Sequence, residues 1–227
     1  SIEDILHTGT TPLDAATFKE MSEQKDILVV DTRSKELYAE EGTVPGAWYI
    51  GVDGNFAPWV GAIVPDINQK IIYIADDELR VNEIVTRFSR VGYDQTLGYL
   101  NGGLTDWKAK GFDVDYISSV SADKFTNMLA KGSVEKPIDV RRESEYLSEH
   151  VLGVENFPLD FIHTNFAEID PKKEYFLHCK TGYRSLIASS IFKAKGVKKV
   201  TDIRGGYKAI KETKAILSNF VCPTTIL

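Results

Sequence analysis

Two cysteines are all the sulfur nucleophiles that the 227 residues hold, Cys179 and Cys222. A disulfide framework is excluded as the source of stability, and a reducing, cytoplasmic setting is the expected one. Histidine is almost as scarce. His7, His150, His163 and His178 never fall at metal-ligand spacing, so no metal or other cofactor is expected. No apolar run approaches the roughly 20 residues that span a bilayer, and no secretory leader opens the chain. An excess of positive charge is missing too: the net charge is -6, which gives no general attraction to nucleic acid or an anionic membrane. The chain starts Ser-Ile-Glu-Asp without a Met and reads as a fragment of something longer.

What is present is ordinary in bulk and unusual in order. Hydrophobic residues make up 43% and charged residues 26%, the balance of a globular protein. The order is a duplication. The buried strand pattern Ile27-Leu28-Val29-Val30-Asp31-Thr32-Arg33 returns as Pro137-Ile138-Asp139-Val140-Arg141, each copy followed by a helical stretch. The strands Ile71 to Ile74 and Tyr175 to His178 each enter a short loop and then an amphipathic helix, over 81–91 and 185–195. Strands over 96–100 and 200–203 run into Asn101-Gly102-Gly103 and Arg204-Gly205-Gly206, and helices over 104–110 and 207–214 close the copies. Asp31/Asp139 are offset by 108 residues, Gly46/Gly153 by 107 and Gly102/Gly205 by 103, a drift that loop-length changes explain.

Alternating short strands and helices imply an α/β fold: two tandem domains, each a parallel five-stranded sheet flanked by helices. The domains are expected over residues 1–117 and 118–227. The seam falls near 114–121, where Ser118-Ser119-Val120-Ser121 separates the copies.

The chemistry concentrates in His178-Cys179-Lys180-Thr181-Gly182-Tyr183-Arg184-Ser185. A tight loop from a strand into a helix directs backbone N–H groups to one point, reinforced by the helix dipole. A sulfur held there is favoured as an anion, and the thiolate is the nucleophile. Gly182 permits a torsion that side chains oppose. Lys180 and Arg184 add charge for an anionic substrate, and Ser185 can cap or donate into the loop. The site is therefore Cys179 as the catalytic residue, with Lys180, Thr181, Gly182, Tyr183, Arg184 and Ser185 binding substrate. A buried, inert Cys179 is the competing reading, but filler needs no Gly, Lys and Arg after it. His178 is expected to pack on the opposite face, because adjacent strand residues point apart. The Asp31/Arg33 and Asp139/Arg141 pairs read as structural, since both copies keep them. Cys222 is expected to pack among Leu217, Phe220, Val221, Ile226 and Leu227 instead of resolving a persulfide.

Taken together, Asp139-x-Arg141, His150-x-x-Gly153, Cys179-x-x-Gly182-x-Arg184-Ser185 and Gly205-Gly206 make the chain resemble a tandem rhodanese, a sulfurtransferase. That resemblance implies a Cys179 persulfide, loaded from thiosulfate or from a glutathione or coenzyme A persulfide. It would then pass its outer sulfur to sulfite, cyanide or a thiol. Gly54-Asn55-Phe56-Ala57-Pro58-Trp59-Val60-Gly61 is similar to a segment of rhodanese regions fused to a metallo-β-lactamase-fold persulfide dioxygenase. Such a domain is thus an expected partner, although Phe56 and Trp59 also suit plain packing over the sheet. Leu152 departs from the family's usual Pro, with little expected effect. The first copy departs more seriously. It reads Ala75-Asp76-Asp77-Glu78-Leu79-Arg80, without a sulfur and with three carboxylates, and is expected to be catalytically dead, with Arg80 paired to an acid. Two rival functions stand beside sulfur transfer. One is a regulatory module without turnover. The other is a phosphatase or arsenate reductase of the same fold, whose His-Cys-x5-Arg loop is one residue longer than the four separating Cys179 from Arg184.

Overall fold

The computed structural model of the chain describes residues 1–222 and divides into two compact units, Ser1–Tyr116 and Ile117–Leu227. In the first, α1 (Ile2–Gly9), β1 (Pro12–Leu13), α2 (Ala15–Ser22) and β2 (Ile27–Asp31) come first. Then follow α3 (Lys35–Glu41), β3 (Trp48–Tyr49), α4 (Phe56–Ile63), β4 (Lys70–Ile74), α5 (Val81–Ser89), β5 (Thr96–Leu100) and α6 (Gly103–Ala109). The second repeats the plan with β6 (Ser118–Val120), α7 (Ala122–Ala130), β7 (Lys136–Asp139), α8 (Glu143–Ser148) and β8 (Glu155–Asn156). It continues through a 3-10 turn (Leu159–Phe161), α9 (Ile162–Asn165), β9 (Glu174–His178), α10 (Tyr183–Ala194), β10 (Lys199–Ile203) and α11 (Gly206–Ile210).

Each unit holds a five-stranded, all-parallel sheet, in the orders β1-β5-β4-β2-β3 and β6-β10-β9-β7-β8. The fold is therefore α/β, two five-stranded parallel sheets flanked by helices, as the alternation implies. From the sequence, Ser118 to Ser121 reads as a plain separator. Instead Ser118–Val120 is an edge strand in register with Thr201 to Ile203, and Ser121 caps α7 by accepting from the Lys124 N–H at 3.2 Å. Pro12–Leu13 is the matching edge strand of the first unit, too short for periodicity to reveal.

Burial explains why β4 and β9 are central. Ile71 to Ile74 and Tyr175 to His178 are buried throughout, as a strand covered on both faces must be. On one side of the second sheet, Phe125, Val151, Phe176, Ile203, Tyr207 and Ile210 form one core. On the other, α10 buries Ile187, Ile191 and Phe192, and the Phe192 ring meets Phe157, Phe166 and Tyr175 edge-on. Phe56 and Trp59 belong to helix α4 and are buried. Their packing role is the one the structure displays.

The strand next to the centre ends in a buried ion pair in both units. Arg141 donates from Nε to Asp139 Oδ1 at 3.0 Å and from Nη2 to Oδ2 at 2.7 Å, and Arg33 makes the same two bonds to Asp31. The structural reading of these pairs agrees with this geometry. Taking away one partner leaves a buried charge alone, which costs about 3–5 kcal/mol. Arg141→Met should therefore lower the stability of the second unit by about that amount. Urea unfolding followed separately for each unit checks this; Arg33→Met should act on the first unit alone.

Candidate active site

The site is assembled at the carboxyl end of β9, where open parallel sheets present their ligand crevices. Cys179 directly follows the strand and is 1% exposed. Two carbonyls of its loop are held from behind by the first turn of α11. The Tyr207 N–H donates to Cys179 O at 2.7 Å and the Lys208 N–H to Lys180 O at 3.0 Å. This approach requires Gly206. A Cβ there would lie 2.5 Å from Cys179 O and 2.8 Å from Lys180 O, and its φ of +59° is itself unfavourable for side chains. With those carbonyls engaged, the Gly182 N–H donates to Cys179 Sγ at 3.1 Å. Gly182 has φ +105° and caps α10, so its lack of a side chain serves the turn itself.

The other expected site residues divide by exposure. Lys180 and Thr181 face solvent, Tyr183 and Arg184 are half-buried, and Ser185 is fully buried. Ser185 was expected to cap or donate, yet its Oγ makes no hydrogen bond among the described residues. Arg184 also differs from expectation. It is no unpaired cation: Nη1 donates to Glu145 Oε2 at 2.6 Å and Nη2 to Oε1 at 3.0 Å, a two-pronged bridge to α8. Partial burial alone would raise the Glu145 carboxyl, but Arg184's hydrogen bonds and charge hold it below the usual carboxylate range. Glu145 escaped the sequence reading. The signal was available in the duplication, because position 37, its counterpart 108 residues earlier, is Leu37.

His178 packs away from the loop mouth, as strand alternation implies. It is fully buried, its Nδ1 lies 3.1 Å from Cys179 O, and its Nε2 stands 3.9 Å from Asp139 Oδ2 without a hydrogen bond. Burial holds its pKa below the ordinary histidine value against the pull of Asp139, so the imidazole is neutral. Tyr207 closes the arrangement. Its ring lies 4.1 Å from the Arg141 guanidinium, and its hydroxyl donates to Glu149 Oε1 at 2.6 Å.

Cys222 corrects a third expectation. It is exposed and not packed in an apolar tail, with Phe220 and Val221 also largely open to solvent. The segment before it is pinned along α8 and the following turn, with Ser218 N donating to His150 O and Val221 N to Ser148 O, both at 2.8 Å. Ile226 and Leu227 lie outside the described residues.

In the first unit the same strand end carries Ala75 and a cleft of about 260 Å³, lined by Arg33, Glu41, Asp76, Glu78, Gly102 and Gly103 among others. Arg80, at the position of Arg184, is bound by both oxygens of Asp53 at 2.7 and 3.0 Å and by Glu83. The expected pairing with an acid is present.

The model of the rhodanese-like domain family matches the chain twice, over residues 14–110 and 121–213. The chain belongs to that family. Among curated relatives of this rhodanese-like chain, the uncharacterized protein YqhL of Bacillus subtilis is 32% identical over 71 residues, 31% of this chain and 56% of that protein. The putative sulfur carrier protein YrkF of the same organism is 28% identical over 92 residues, 40% of this chain and 50% of that protein. The chain thus spans about half the length of these relatives. Solved structures include a rhodanese-like domain protein from Staphylococcus aureus, 21% identical with a TM-score of 0.41, covering 45% of this chain and all (100%) of that one. A thiosulfate sulfurtransferase from Pseudomonas aeruginosa is 17% identical with a TM-score of 0.39, over 93% of this chain and 44% of that one.

Two expected outcomes follow from this geometry. Gly206→Ala should destabilise the second unit by more than Gly153→Ala, whose φ is +84° but whose Cβ would meet nothing within 4 Å. The left-handed conformation alone costs about 1–2 kcal/mol, and the excess for Gly206→Ala, read by urea unfolding, measures the collision with the loop. The second concerns pH. His178 is neutral in the fold, and the unfolded chain takes up its proton below about pH 6.5, so stability should fall as pH drops through that value. His178→Gln should flatten the stability profile between about pH 6.5 and 5.

Proposed function

We propose that the second unit is a sulfurtransferase in which Cys179 carries a sulfane sulfur as a persulfide. The observation that carries this reading is the Gly182 N–H directed at Cys179 Sγ, 3.1 Å away, at the end of the central strand. The nucleophile is the thiolate, and this N–H is a hydrogen-bond donor placed directly on it. The thiolate attacks the outer sulfur of the donor. With thiosulfate, the S–S bond breaks, sulfite leaves with the bonding pair, and Cys179 holds the transferred sulfur. A glutathione or coenzyme A persulfide would load the same sulfur and leave as its thiolate. In the second half-reaction sulfite, cyanide or a thiol attacks the outer sulfur and regenerates the Cys179 thiolate. The chemistry needs no metal or cofactor, and a reducing compartment such as the cytoplasm keeps the cysteine available.

The remaining loop residues take roles in keeping with their surroundings. Lys180, exposed and without an ion pair among the described residues, supplies the attraction for an anionic substrate. Arg184, already neutralised by Glu145, ties the loop to α8 and so acts as a positioning residue. Ser185 keeps a buried hydroxyl donor on the same turn, while Thr181 and Tyr183 flank Gly182. The first unit, with Ala75 and an engaged Arg80, would perform no covalent step and serve in packing or docking. A partnership with a metallo-β-lactamase-fold persulfide dioxygenase rests on the sequence likeness of residues 54–61 alone.

Exposure to thiosulfate or glutathione persulfide, followed by mass spectrometry, tests the reading. Cys179 should gain the mass of one sulfur atom, and Cys179→Ala should gain nothing. Turnover of an aryl phosphate at a comparable rate would instead make the protein a phosphatase, and alkylation of Cys179 no faster than that of a free thiol would make it a docking module.

A further inference from the structure

His178 is the buried titratable group to which the sulfur-transfer step gives no task. Cys179 O can only accept, so the ring nitrogen 3.1 Å from it, Nδ1, carries the proton. The lone pair then belongs to Nε2, which faces the Asp139 carboxylate at 3.9 Å and has no hydrogen-bond partner among the described residues. The charged and titratable groups around the ring are Asp139 and Arg141 from β7 and Tyr207 from α11, whose ring lies 6.3 Å away, centre to centre. Asp139 is already engaged by Arg141. An acceptor enclosed without a donor is destabilising, and native interiors keep few of them.

The duplication shows what the fold alone asks of this position. In the first unit Ile74 stands there, fully buried at the same end of the same central strand. An aliphatic side chain fills the place and leaves no nitrogen unpaired. The surroundings of the next residue differ in step. In the second unit Cys179 O is gripped twice, by His178 Nδ1 and by the Tyr207 N–H at 2.7 Å, with Gly206 close against it. In the first unit a Cβ on Gly103, the counterpart of Gly206, would meet nothing within 4 Å, so Ala75 O is not drawn in the same way. The imidazole and the fastened carbonyl occur together, in the copy that has the thiol.

We infer that His178 is a positioning residue for the nucleophile: its Nδ1–H fastens the carbonyl of Cys179 and thereby keeps Sγ in place against the Gly182 N–H. The peptide that follows Cys179 is planar and stiff, so two donors on its oxygen fix the whole unit and not one atom alone. With the Tyr207 N–H as the single donor, that plane could rock about its one hydrogen bond. Supporting contacts of this kind hold a reacting atom to within about 0.5 Å of its productive place. The buried imidazole lowers stability and secures the hold. This inference rests on the reading of Cys179 as the sulfur carrier.

Three variants of the full chain provide the test. His178→Ile installs the residue of the first unit, His178→Asn keeps an amide donor near the Nδ1 position, and His178→Gln moves that donor out to the Nε2 position. Sulfur loading of Cys179 from thiosulfate is followed in a single turnover by mass spectrometry, and urea unfolding reports the stability of the second unit. His178→Ile should unfold at the same urea concentration as the wild type or a higher one. Its maximal loading rate should nevertheless fall about tenfold or more, because a misplacement of about 1 Å can cost about a hundredfold. The thiosulfate concentration at half-maximal rate should stay as in the wild type, since the enclosed imidazole does not meet substrate. His178→Asn should recover most of the rate, and His178→Gln should not. Loading by His178→Ile at the wild-type rate, or equal rates for His178→Asn and His178→Gln, overturns the inference while leaving the persulfide reading intact. If His178→Ile does not fold, the comparison of Asn with Gln decides alone. If the wild-type protein takes no sulfur from thiosulfate or glutathione persulfide, the persulfide reading itself falls, and this inference with it.

Discussion

The Arg141 guanidinium is the point through which the cysteine-bearing end of the second unit is held together. It is bound by Asp139, donates to the Glu149 carbonyl at 2.9 Å, and lies against the ring of Tyr207. Tyr207 in turn places its N–H on Cys179 O and its hydroxyl on Glu149. The end of β7, the end of α8, the start of α11 and the cysteine loop thus meet around one buried charge. Low local dielectric strengthens each of these contacts and makes the loss of any one expensive. The sulfur is positioned by backbone, and the backbone is positioned by this charge.

The loop carries a second fastening on its other side. Arg184 reaches across to Glu145, so α8 and α10 are joined over the mouth of the site by two parallel hydrogen bonds. The arginine that a family pattern marks as an anion binder is, in this chain, neutralised by its neighbour.

Much of this was legible without coordinates, for reasons that differ by residue. The parallel sheets followed from buried strands alternating with helices, and the cysteine loop from its Gly, Lys and Arg. Edge strands escaped because Pro12–Leu13 and Ser118–Val120 are two and three residues long, below what a period-two pattern can declare. Glu145 escaped because a lone acid on an amphipathic helix resembles any solvated residue until its partner, 39 positions on, is placed beside it. Cys222 was misread because apolar neighbours in sequence, such as Phe220 and Val221, were taken for burial that the segment does not provide. Gly206 was noticed as a motif, but its cause, the carbonyl 2.5 Å from a would-be Cβ, exists only in three dimensions.

Gly103 occupies the place of Gly206 in the first unit, yet a Cβ there would touch nothing within 4 Å. Between that glycine and Ala75 the structure has a cleft of about 260 Å³ where the second unit has a closed loop. The two copies therefore differ in how the strand end is enclosed as well as in a single atom of sulfur. A thiol placed at position 75 would stand at an open hollow edged with the carboxylates of Glu41, Asp76 and Glu78.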